Sequence, residues 1–128
     1  MSQAISTTAA PTPRGYYSQA VRAGNFLFIS GQLPFDTAGN LVGKNVTEQA
    51  NQTLSNIRAI LEAAGGTLSN LVQVTIYVSD INHWPAVNAA YQAFLSQVKV
   101  PPARAVVPVK DLHYGAQIEI QAVACFEG

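Results

Sequence analysis

Two charged side chains sit in runs that otherwise favour β-strand. Arg104 lies in Pro101-Pro102-Ala103-Arg104-Ala105-Val106-Val107, and Glu119 lies between Ile118 and Ile120. An arginine guanidinium is planar, permanently charged and able to grip a carboxylate through two parallel hydrogen bonds. A glutamate carboxylate can order a water molecule and accept its proton. Held together, the pair could bind a small carboxylic acid and direct water at it. The two runs flank a polar stretch, Lys110 to Gly115, which signals a β-hairpin with a longer loop. At the strand period of two, Glu119, Gln121, Val123 and Cys125 share one face, and Ile118, Ile120, Ala122, Ala124 and Phe126 the other. A turn centred between Asp111 and Gly115 then sets Arg104 opposite or diagonal to Glu119 and Gln121, with diagonal neighbours about 7–8 Å apart. The spacing fits two readings: a cross-strand salt bridge worth about 0.2–1 kcal/mol, or a ligand site.

The other chemistry-bearing residues exclude more than they suggest. His83, His113 and Asp111 have no spacing that makes a metal site, and no cofactor is called for. His113 falls in the predicted turn, where it reads as a solvent-exposed residue that could also touch a ligand. Ser30 precedes Gly31 without the Gly-Xaa-Ser-Xaa-Gly elbow of a serine hydrolase. The single cysteine, Cys125, excludes an internal disulfide, reads as a small sheet residue and fits a reducing compartment.

Residues 1–128 have the length of one domain, which buries about two thirds of its unfolded surface. Seven basic and seven acidic side chains cancel, with no basic stripe, so nucleic acid is not an expected partner. No apolar run approaches the ~20 residues of a membrane helix. The N-terminus lacks the basic and apolar regions of a signal peptide. The expectation is a soluble, cytoplasmic protein. Charged residues make up only 11% of the chain, well below the usual roughly 25%, which hints that surface is hidden by oligomerisation.

The elements that must position Arg104 and Glu119 follow in order. Residues 1–13 are Ser/Thr/Ala/Pro-rich and read as a loose arm. Ala20–Ala23 and Phe26–Ser30 read as strands joined by the tight turn Gly24-Asn25. Asn45 and Glu48 form a capping-box pattern before a helix with Val46, Ala50, Leu54, Ile57, Ile60, Leu61 and Ala64 inward, closed by Gly65-Gly66. Leu71–Ser79 alternates, with Val72, Val74, Ile76 and Val78 opposed to Gln73, Thr75 and Tyr77. A second helix starts near Asp80–Asn82, takes Pro85 in its first turn, and carries Trp84, Val87, Tyr91, Phe94 and Val98 on one stripe. Asn88 lies beside that stripe, as an exposed helix residue or as part of a site. The order strand, strand, helix, strand, helix, strand, strand predicts an α+β domain. It is a mostly antiparallel sheet with both helices on one face.

Pro102-Ala103-Arg104, Leu112 and Ile118-Glu119-Ile120 together resemble the signature of the RidA/YjgF family of reactive-intermediate deaminases. Gly15-Tyr16-Tyr17-Ser18-Gln19 and Ser30-Gly31-Gln32-Leu33-Pro34 resemble the family's two pocket-bordering segments, and Val87-Asn88-Ala89-Ala90-Tyr91 a third near the site. The resemblance implies a chorismate-mutase-like homotrimer without metal or cofactor. It implies hydrolysis of 2-aminoacrylate, 2-iminopropanoate and 2-iminobutanoate to 2-keto acid and ammonium. Arg104 would hold the substrate carboxylate and Glu119 the water, with Tyr17, Ser30, Gly31 and Asn88 also contacting the ligand. Three positions depart from the family: Tyr16 where Pro is common, Val106 where close relatives have Cys, and Gln121 where a second Glu is common. Two alternatives stay open. One is a pathway-specific deaminase, such as one for 2-aminomuconate, with Tyr16 and the His113-Tyr114 turn reshaping the pocket. The other is a non-catalytic regulatory trimer that binds small carboxylates.

Overall fold

The computed structural model describes residues 1–127. Helix α1 (Val46–Ala63) starts where the Asn45 side chain accepts from the Glu48 amide at 2.9 Å. Glu48 reaches back to the Lys44 amide, one residue beyond the usual capping box. The helix ends at Ala64, and Gly65 takes the left-handed φ of +88° that lets the chain turn away. Helix α2 (Trp84–Phe94) follows a single 3-10 turn, Ile81–His83, with Pro85 in its first turn.

Both helices pack on one six-stranded sheet. Its strands are β1 (Ser2–Ile5), β2 (Ala20–Ala23), β3 (Phe26–Gln32), β4 (Leu71–Val78), β5 (Ala103–Pro108) and β6 (Ile118–Cys125). Their order across the sheet is β1-β2-β3-β6-β4-β5. All neighbours are antiparallel except β4 and β5. This is the α+β layering expected from the element order. Leu27, Ile76, Ile118 and Ile120 from the sheet meet Ile57, Ile60 and Leu61 of α1, all fully buried. Each such side chain contributes about 1.5–3 kcal/mol by leaving water.

The C-terminal hairpin does not form. β5 pairs in parallel with β4, Arg104 standing beside Val74, while β6 enters between β3 and β4 with Glu119 beside Tyr77. β4, α2 and β5 make a crossover unit that carries β5 past β4 to the sheet edge, where its prolines cost no ladder bonds. Paired residues share a face, and positions 74 and 77 point oppositely. Arg104 therefore lies on the helix-covered face and Glu119 on the bare one, two strands apart.

The N-terminal arm is not loose. β1 pairs with β2, and the buried Gln19 side chain donates to Pro11 O at 2.9 Å and Thr7 O at 3.1 Å while accepting from Thr7 N at 2.7 Å. Val72 also departs from its expected face. The β4–β6 register shifts between Leu71 and Gln73, which leaves Val72 exposed and puts Leu71 in the core. Val98 lies beyond the end of α2.

Buried polar residues of α1 hold the segment that follows β3 and the residue that precedes β6. The Asn56 amide donates to Leu33 O at 3.1 Å and Phe35 O at 2.9 Å, and Gln49 Oε1 accepts from the Gln117 amide at 2.8 Å. Asn56→Ala strands two carbonyls and is expected to cost about 1–3 kcal/mol, read as a lowered denaturant midpoint with an unchanged slope.

Candidate active site

Where β3 meets β6, Ile29 pairs with Ala122 but Gln32 with Ile120. The extra residue makes a bulge at Ser30-Gly31, opposite Gln121. Bulges re-aim side chains and free backbone groups. Ser30 is fixed by its hydroxyl, which donates to Ser18 O at 2.6 Å, and by its amide, which donates to Gln19 O at 3.0 Å. Gly31 lies against Glu119. A β-carbon there would collide with the Glu119 carboxylate, so only glycine lets that carboxylate lie over the bulge.

The bulge floors a cleft of about 450 Å³. Tyr17, Ser30, Gly31 and Glu119 line it, together with Arg14, Phe35, His113 and Tyr114. Burial pushes the Glu119 carboxyl above its ordinary value, and the nearby His113 opposes the shift. Tyr17 holds the cleft's entrance loop by accepting from the Arg14 amide at 3.3 Å. Tyr114 has φ 63°, ψ 20°, a left-handed conformation that costs an L-residue about 1–2 kcal/mol. Its ring packs edge-on against Phe35, with centroids 5.2 Å apart.

Arg104 and Asn88 lie elsewhere. Arg104 Nη1 donates to Asn88 Oδ1 at 2.8 Å, and the guanidinium carbon stands 5.0 Å from the Tyr91 ring centroid. The Tyr91 hydroxyl is buried without a partner among the described residues, and burial raises its pKa. Within one chain Arg104 and Glu119 are thus neither salt-bridged nor neighbours. The sequence-predicted residues form two clusters, one in the cleft and one where α2 covers the sheet edge. Asn88 is the link that orients Arg104 rather than an exposed helix residue. Arg14 and Phe35 were not expected in the cleft, whereas the His113-Tyr114 turn, named above as able to reshape the pocket, supplies both its side chains to the wall, His113 being exposed as well. None falls in a periodic element, so only the loop geometry brings them together. No group of three or more potential metal ligands exists among the described residues, and no helix is long and apolar enough to cross a membrane.

The sheet's bare face continues from Glu119. Phe28, half exposed, pairs with Val123, and Thr75 pairs with Gln121, around a shallow cavity of about 290 Å³. Phe26 and Val72 are also exposed.

The chain is thus a two-helix, six-stranded α+β domain with a carboxylate over a strand bulge and one sheet face free of helices. The family model described as endoribonuclease L-PSP matches residues 7–126, and the chain belongs to that family, the RidA/YjgF family of the motif reading. A RutC family protein of Pyrococcus horikoshii is 45% identical over 97% of this chain and 98% of its own. A protein of Salmonella typhimurium named 2-iminobutanoate/2-iminopropanoate deaminase is 41% identical over 97% of this chain and 98% of its own. The crystal structure of the Escherichia coli YjgF gene product superposes with a TM-score of 0.93 at 39% identity, covering 98% of this chain and 99% of that one. RidA from a Psychrobacter species superposes at 0.92 and 39% identity, covering 97% and 99%.

Proposed function

We propose that this protein is a hydrolytic deaminase of 2-imino acids and their enamine tautomers. The observation that carries the reading is the Glu119 carboxylate, lifted above its ordinary pKa and laid over the Ser30-Gly31 bulge in a cleft of small-molecule size. The relatives named as imine deaminases support it.

Glu119 accepts a proton from water as the oxygen attacks C2 of the protonated imine, giving a neutral carbinolamine. Glu119 returns that proton to nitrogen, the C–N electron pair leaves with ammonia, and the C2 hydroxyl gives its proton to the ammonia, so keto acid and ammonium leave. An enamine first takes a proton at C3 to become the imine. Ser30 and Tyr17 offer hydrogen-bonding hydroxyls to the ligand or the water. Arg104 takes the substrate carboxylate, with Asn88 and the Tyr91 ring holding the guanidinium in place.

Arg104 and Glu119 lie on opposite faces of one chain, so the reading requires a second copy. The bare face beside Glu119 of one copy meets the β5 and α2 edge of the next, bringing that copy's Arg104 to the cleft. Two different surfaces in contact make a head-to-tail interface, which closes only as a ring. A homotrimer, as the resemblance implies, is the smallest such ring.

The test is keto-acid release from 2-iminobutanoate generated in situ. Acceleration above the spontaneous rate is expected. A rate equal to background would sink the proposal. A pH prediction follows from Gln121, which shares the bare face with Glu119 one period along β6. Gln121→Glu adds a like charge that raises the Glu119 pKa further. The acidic limb of the pH–rate profile should move to higher pH, and an unmoved limb would show the two sites do not interact. The family model's name invokes RNA, but seven basic against seven acidic residues give no phosphate-binding footprint.

A further inference from the structure

One wall of the cleft carries a cation that deamination of a short imino acid does not use. The Arg14 guanidinium carbon stands 4.0 Å from the Phe35 ring centroid and 5.0 Å from that of Tyr114. The two rings meet edge to face, at 5.2 Å and 85°. Arg14 Nη2 donates to Gly39 O at 2.6 Å, its one side-chain hydrogen bond among the described residues. A guanidinium has five N–H donors, so most of its recognition capacity stays open. The rings fix its plane without consuming those donors.

The brace itself is held under strain. Tyr114 is 58% exposed and adopts a left-handed backbone, next to a glycine that takes the same region freely. Solvent exposure gives a tyrosine no reason to accept that conformation. Its contact with Phe35 and Arg14 does, and strain kept at a cleft wall is a mark of use.

We infer that Arg14, braced by Phe35 and Tyr114, is a specificity-determining residue that binds a second carboxylate at the far end of the substrate side chain. The site then takes 2-imino dicarboxylates ahead of 2-imino monocarboxylates. Arg104 of the neighbouring copy holds the carboxylate beside the imine, and Arg14 the distal one. Glu119 and its water work between them. The inference rests on the deaminase reading for its reaction, though not for its binding.

Two measurements test it. The first compares kcat/KM for 2-iminoglutarate and 2-iminobutanoate, each generated in situ by an amino-acid oxidase, in wild type and Arg14→Ala. The wild type should prefer the dicarboxylate by about ten-fold or more, and the variant should lose that preference. The ratio is internal to each protein, so a partly unfolded variant cannot mimic the result. A wild-type ratio of one or less, or a ratio that Arg14→Ala leaves unchanged, overturns the inference. The second is calorimetric binding of glutarate against butanoate to the same two proteins. Tighter binding of glutarate by about ten-fold, lost in Arg14→Ala, supports the second anion site even if neither imine is turned over, in which case the deaminase reading alone falls. Equal binding of the two acids by wild type overturns the inference while leaving deamination intact.

Discussion

Glu119→Gln lowers keto-acid release by about 100-fold or more, to near the spontaneous rate. The carboxamide has the carboxylate's size and can occupy the same place over Gly31, but it cannot take a proton from water. The loss should appear in kcat with little change in KM, because the carboxylate acts on the water and not on the bound acid. Wild-type activity should fall as pH drops through a midpoint above the ordinary glutamate value of about 4.3, since burial has raised the group that must be ionised. Unfolding cannot account for the loss. A carboxyl whose pKa is raised by folding contributes stability that is full below its unfolded pKa and is lost as pH rises through its folded pKa. At neutral pH the ionised Glu119 therefore costs stability, and the neutral glutamine should denature at an equal or higher denaturant concentration. A Glu119→Gln protein as active as wild type would remove Glu119 from the chemistry.

The helices were legible because their signals are local. Asn45 caps, Gly65 stops, and the apolar stripe from Val46 to Leu61 fixes which side of α1 is buried. The β2–β3 turn at Gly24 was legible for the same reason. The motif likewise singled out Arg104 and Glu119 as the candidate pair. Their geometry was not legible, because strand order is a non-local property. Successive strands usually pair, and β5 and β6 look like a hairpin on composition alone. Pro101, Pro102 and Pro108 are the residues that speak against it, since they suit an edge strand and not one arm of a central hairpin. The pairing of β1 was missed because its four residues, three of them exposed, carry no alternation; the anchor is Gln19, a buried polar side chain whose partners sit eight to twelve residues away. Arg14 escaped notice because loops bring it to Tyr114 across a hundred residues of sequence. A positive φ at a tyrosine leaves no trace in residue type.

Arg104→Ala is expected to weaken substrate capture by about 10- to 1,000-fold, the effect of removing one partner of a desolvated ion pair. Unlike Glu119→Gln, it should act mainly through KM. The more searching result comes from mixing. Arg104→Ala and Glu119→Ala proteins are each defective alone, but a site built from two copies can be restored when they share a ring. Every mixed trimer then holds one cleft with an intact Glu119 facing an intact Arg104. At equal amounts and random assembly, mixed rings make up about three quarters of the population, each with one working site of three, so activity should recover to about a quarter of wild type. The recovery should require exchange of subunits, by dilute denaturant and refolding, and should be absent when the two intact homo-oligomers are merely combined. Separate clefts complete within one chain would give no recovery under either protocol. The opposed faces of Val74 and Tyr77, which carry Arg104 and Glu119 to opposite sides of the sheet, are the reason to expect the shared site.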